Sequence, residues 1–120
     1  MILAPTVKHE KWFDVPGAKG AKVLIREIGD SHRANLLKTL AAFGDITTLK
    51  GRSEYLCQIR RDSIADWKGI EDEEGSSLPL TEENKALFLE HEGIEAFIEE
   101  CAAKVGKEAT EKRAEAKKNS

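Results

Sequence analysis

Three histidines, two cysteines and a dense run of carboxylates are the groups in this 120-residue chain that could hold a metal, attack a substrate or move a proton. His9, His32 and His91 stand singly, without the HxxxH or HExxH spacing that brings two imidazoles onto one metal. His91, between Glu90 and Glu92 near an expected helix end, is explained by the negative pole of that helix. Cys57 and Cys101 have no CxxC spacing and no histidine whose spacing recommends it as a base. They read as two ordinary buried thiols in a reducing compartment. Glu71-Asp72-Glu73-Glu74 reads as a solvated acidic loop rather than a tuned acid/base pair, and it lacks the alternating oxygen ligands and closing Glu of a calcium loop. Gly17 and Gly20 belong to a turn, not to a phosphate-cradling loop after a strand. The expectation is a protein that is not an enzyme and that uses no metal and no cofactor.

Composition narrows the remaining classes. The length suits one domain with a modest core. Hydrophobic residues make up 40% and aromatic ones 6%, so that core must rest on Leu, Ile, Val and Ala. Charged residues reach 34%, above the usual quarter, as in a well-solvated helical protein. A net charge of −3 argues against a protein devoted to nucleic-acid phosphates. No apolar run approaches the roughly 20 residues of a membrane span, and Met1–Pro5 has neither a basic nor an apolar signal region. The expected location is therefore the cytoplasm.

The elements follow from periodicity and turn chemistry. Residues 1–10 are expected as an extended arm. Trp12–Val15 and Lys22–Ile28 read as two strands joined by a Pro16–Gly20 turn. Asp30 or Ser31 can open a helix running to Phe43, with Leu36, Leu37, Leu40 and Ala41 on one face and Gly44 as a left-handed stop. After a connection over residues 45–52, a second helix is expected from Ser53. Tyr55, Leu56, Ile59, Ser63, Ile64 and Trp67 keep its three-to-four spacing, with a strand near Ile64–Ile70 as the alternative. Glu71–Ser77 turns the chain at Gly75, and Pro79 stops a helix from passing through. Thr81 caps a short, well-buried helix that ends at Gly93.

Ile94, Phe97, Ile98, Cys101, Ala102 and Val105 form the cleanest amphipathic stripe in the chain. Beyond Gly106 that stripe vanishes, and Lys107–Ser120 is a solvated helix extension or disordered. The expected fold is α+β and mainly α-helical: an N-terminal β-hairpin on a bundle of about four helices. Residues 1–106 form the single globular domain and 107–120 a charged tail.

What remains for function is protein surface. A two-stranded hairpin is not stable alone in water, so its apolar face needs a helix or a partner chain to cover it. Trp12, Phe13, Val23 and Ile25 on that hairpin are the candidate partner-binding residues. Trp67 reads first as a core anchor and second as an interface anchor, because Trp is enriched at binding hot spots.

One stretch carries a family resemblance. Asp66-Trp67-Lys68-Gly69-Ile70 is followed by Glu73-Glu74-Gly75, Leu78-Pro79-Leu80-Thr81 and Glu82-Glu83-Asn84. This series resembles the tail assembly chaperones of long-tailed bacteriophages, over about the second half of the chain, with Phe97-Ile98 and the charged tail in keeping. The resemblance implies a phage or prophage protein that coats the tape-measure protein, recruits tail-tube subunits, forms homo-oligomers and leaves before the virion is complete. It also implies a short form and a frameshifted, extended form. Lys117-Lys118-Asn119, if written with AAA codons, supplies the slippery message such a frameshift needs. Two other classes stay open: a structural minor tail or connector protein, and a small helical regulator that binds nucleic acid.

Overall fold

A computed structural model describes residues 9–118. The expected N-terminal arm therefore lies almost wholly outside the described residues. The order of elements is β1 (Glu10–Asp14), β2 (Lys22–Arg26), α1 (Asp30–Ala41), α2 (Leu49–Ser63), β3 (Ile64–Lys68), α3 (Glu82–Leu89) and α4 (Ile94–Lys118). The fold is α+β and mainly helical, as the sequence predicts.

β1 and β2 pair antiparallel across the Pro16–Gly20 turn, with Trp12 opposite Leu24 and Phe13 opposite Val23. Gly17 and Gly20 both take positive φ there, a backbone that costs glycine nothing sterically. The expected hairpin is, however, a three-stranded sheet in the order β1-β2-β3. Ile64 and Trp67 belong to β3 rather than to a continuing helix, which corrects the favoured helical reading of that segment and supports its alternative. Trp67 pairs with Val23, Asp66 with Leu24 and Ile64 with Ile25, so Ala65 is skipped in a bulge. The bulge is the physical reason the sequence misleads. An extra residue puts Ile64 and Trp67 three apart yet on the same face, a spacing that otherwise marks a helix.

One face of the sheet packs on α4. Val23, Ile25, Ile64, Ile98 and Val105 are fully buried there, and each contributes roughly 1.5–3 kcal/mol through the apolar area it removes from water. The buried stripe of α4 is Ile94, Ile98, Cys101, Val105 and Ala109. It continues past Gly106, contrary to the expectation that the apolar face ends there, and the helix runs unbroken to Lys118. Burial pushes the Cys101 thiol up to about 11, so it stays protonated and acts as a small core hydrophobe.

Trp67 anchors the far side of this core. Its indole N–H donates to the Leu78 carbonyl over 2.9 Å, and its ring meets Phe88 edge-on at 5.7 Å between centroids. The acidic loop returns Leu78 to that position. Asp72 accepts from the Glu74 and Ser76 amides, Gly75 takes positive φ, and the Leu78 amide donates to the Ile70 carbonyl. Thr81 caps α3 as expected by accepting from the Asn84 amide. Phe88 and Leu89 are buried, but Leu87 is exposed, so α3 buries less than its composition suggests.

Two boundaries also move. α2 begins at Leu49, not Ser53, because Thr48 accepts from the Gly51 amide and nucleates an earlier first turn. α1 ends at Ala41 with right-handed geometry at Ala42. Gly44 is not among the positive-φ glycines and is not the expected left-handed stop.

Candidate functional site: a groove between α1, α2 and α4

The two expected surfaces separate once the sheet is folded. Val23 and Ile25 are fully buried beneath α4, and Trp67 is buried against Phe88. Val23 and Ile25, candidate partner contacts by sequence, build the core in this fold, and Trp67 takes the core position first expected of it. Phe13 lies half-buried on the same face. Trp12 alone of the five points to the outer face, 36% exposed, with the Lys68 ammonium 4.6 Å from its ring centroid.

A groove of about 820 Å³ lies elsewhere, where the start of α1 and the side of α2 face α4. Ile59 and Leu56 of α2 form its apolar floor with Ile98 and Ala102 of α4, and Gly106 opens the far end by lacking a side chain. Leu56 is 47% exposed, an apolar side chain offered to whatever enters.

Ion pairs between elements frame the groove. Arg60 of α2 bonds Glu99 and approaches Glu95 on α4, so its guanidinium is held charged above its ordinary range, chiefly by Glu99. Arg113, near the end of α4, forks onto Glu27, which raises it in the same way. Arg26 and Arg33 also line the groove. The first donates to the Asp62 carbonyl at 2.6 Å and the second to the Ile28 carbonyl at 3.4 Å, and neither meets a carboxylate among the described residues.

Asp62 links three elements behind the groove. Its carboxylate meets His32 of α1 at 2.7 Å and the Gln58 amide at 2.7 Å, while its carbonyl holds Arg26 of β2. That node is the main polar tie between α1 and the rest, since α1 buries no residue. On the opposite side of α4, Glu108 meets Lys11 at 2.9 Å and His9 at 3.1 Å, and both keep its carboxyl below the usual range. Neither site gathers three His, Cys, Asp or Glu side chains able to hold a metal, among the described residues. The histidine at each of the two sites is occupied structurally, His9 on Glu108 and His32 on Asp62.

The arrangement can bind; nothing in it pairs a nucleophile with a base. A groove with an apolar floor and a charged rim suits an amphipathic helix, whose anchors recur every three to four residues. Sequence reasoning did not find it. Leu56 and Ile59 were visible as a helical stripe, but the residues facing them on α4 are about forty positions away. No helix among the described residues is long and apolar enough to cross a membrane.

Comparison with known proteins adds one match. A family model described as YdaY prophage protein matches residues 25–119, from within β2 to the end of α4. Neither the curated proteins nor the solved structures give a match. The match agrees with the phage or prophage origin implied by the chaperone resemblance, and with most of its length covered, the chain belongs to the YdaY prophage protein family.

Proposed function

We propose that this protein is a non-enzymatic tail assembly chaperone of a phage or prophage, which binds the tape-measure protein and helps bring tail-tube subunits to it. The groove between α1, α2 and α4 carries the reading. It is a groove of about 820 Å³, apolar at Leu56 and Ile59 and rimmed by charge, which is how a protein masks the apolar face of a helical client without engulfing it. The prophage family supports the context, and the resemblance of the Asp66–Asn84 stretch supports the role. In this reading the protein works in the host cytoplasm and is absent from the finished virion. The extended, frameshifted form would add residues to the chain without altering the groove.

Nucleic acid is the weaker partner. Residues 71–100 hold eleven of the 22 acidic residues and a single basic one, Lys85, a surface that repels phosphates.

Co-expression with fragments of the tape-measure protein tests the proposal. Expected is a fragment kept soluble and co-purifying, with Leu56→Glu weakening capture about tenfold or more because it puts a charge on the groove floor. A fragment no more soluble with the protein than without it overturns the reading. Detection of stoichiometric protein in purified particles would replace it with a structural tail role.

A further inference from the structure

Phe43 and Leu49 are 87% and 85% exposed, the most exposed large apolar side chains among the described residues. Both sit where α1 turns into α2, at the far end of that helical hairpin from the sheet. Lys38, Lys50 and Arg52 flank them in sequence, and none of these cations enters an ion pair among the described residues. Asp45 in the turn is engaged locally, accepting from the Thr47 amide and hydroxyl at 2.8 and 2.6 Å. The end of the hairpin is thus an apolar knob with unpaired positive charge around it.

A patch of opposite character lies at the other end of α2. There Arg61 meets Glu82 at 3.2 Å and places α3 beside the C-terminal turn of α2. On α3, Leu87 is 55% exposed, with Glu83 four residues before it and Glu90 three after, so all three share one face. Neither Glu83 nor Glu90 enters an ion pair among the described residues. The surrounding segment is the strongly acidic one.

The fifteen residues of α2 form a strut of about 22 Å between these ends. One chain cannot fold its own knob onto its own α3. We propose that the α1–α2 turn of one copy docks on the exposed face of α3 in the next copy. Phe43 and Leu49 meet Leu87, and Lys50 and Arg52 face Glu83 and Glu90. The two surfaces differ, so the contact is heterologous and leaves a free knob and a free α3 at the ends of every assembly. Exposed apolar side chains rimmed by opposite charges supply both the attraction and the register. This proposal involves no client and stands apart from the tape-measure reading.

Sedimentation of the full chain over a concentration series, at low and high salt, tests it. Expected is concentration-dependent association that weakens as salt screens the charged rim. The double variant Phe43→Ser, Leu49→Ser should weaken association about tenfold or more, and so should Leu87→Ser with Glu83→Gln. Mixed together, the two variants should form a one-to-one complex, because each keeps the surface the other has lost. All four positions are exposed, and circular dichroism checks that both variants keep wild-type helix content. A wild-type chain that stays monomeric throughout overturns the proposal. So does a variant that associates as the wild type does, or a pair that fails to combine.

Discussion

The sheet with α4 and the α1–α2 hairpin draw on similar apolar sequence but use it in opposite ways. Val23, Ile25, Ile64, Ile98 and Val105 are fully buried between sheet and helix. From Asp30 to Asp62 no residue is buried, although Leu36, Leu37 and Leu40 on α1 and Tyr55 and Ile59 on α2 keep helical spacing and the two helices pack on each other. Helices of this length are unstable alone and gain their stability from packing. The hairpin therefore hangs from the core by Asp62, Arg60 and the end of α2, with one side of its apolar stripe open. The proposed chaperone role would use such a division, a part that stays folded and a part whose packing is completed by a partner.

The division has measurable consequences. Ile25→Ala should cost about 2–5 kcal/mol in urea unfolding, because it opens a cavity in a site with no exposure. Leu37→Ala in the hairpin should cost about 1 kcal/mol or less, since that side chain is only partly buried. Equal costs would erase the contrast.

Gly69→Ala should come next, at about 1–3 kcal/mol. Gly69 has φ +71°, and an added Cβ would lie 2.5 Å from the Gly20 carbonyl oxygen, forcing apart the two turns that close the sheet. The same change at Gly44, which has open space and no positive φ, should be near neutral.

Hydrogen exchange reads the same boundary without mutation. Amides of β2 and of α4 from Ile98 to Val105 should open only with global unfolding, while α1 exchanges through a smaller local opening. His32→Ala should loosen α1 further by removing its tie to Asp62. Uniform protection across α1 and α4 would sink the picture of a loosely held hairpin.

The smallest expected effect is on acid stability. Lys11 and His9 hold Glu108 below its ordinary value of 4.5, so the folded state keeps this carboxylate ionised more readily than the unfolded chain does. Its contribution is present above the unfolded value and is lost as pH falls through the lower folded one. Because the group is exposed, the difference should be small. Glu108→Gln should lower the melting temperature slightly at neutral pH and converge with the wild type in acid. A gap that stays constant with pH would remove the carboxylate from the account.

How much was legible in the sequence depends on how local each signal is. The Pro16–Gly20 turn, the acidic turn at Gly75, the Thr81 cap and the stripe from Ile94 to Val105 are written within a few residues of where they act, and all four are present in the fold. The third strand was not legible, because a bulge at Ala65 gives Ile64 and Trp67 the spacing of a helix. Nor was the groove, whose floor joins Leu56 and Ile59 to Ile98 and Ala102. Val23 and Ile25 illustrate the limit well. Their type and alternation showed an apolar strand face, but whether α4 or a partner would cover it depended on residues some eighty positions away.

The sequence by itself therefore determined which segments are helical or turning and which faces are apolar, since backbone preference and periodicity are properties of neighbouring residues. Only the tertiary structure decided which of those faces are covered. Burial depends on what lies opposite, so α4 closes over the sheet and turns Val23 and Ile25 into core. Leu56 on α2 stays 47% exposed beside α4, and the knob at Phe43 and Leu49 is exposed among the described residues, so both remain surfaces for another molecule.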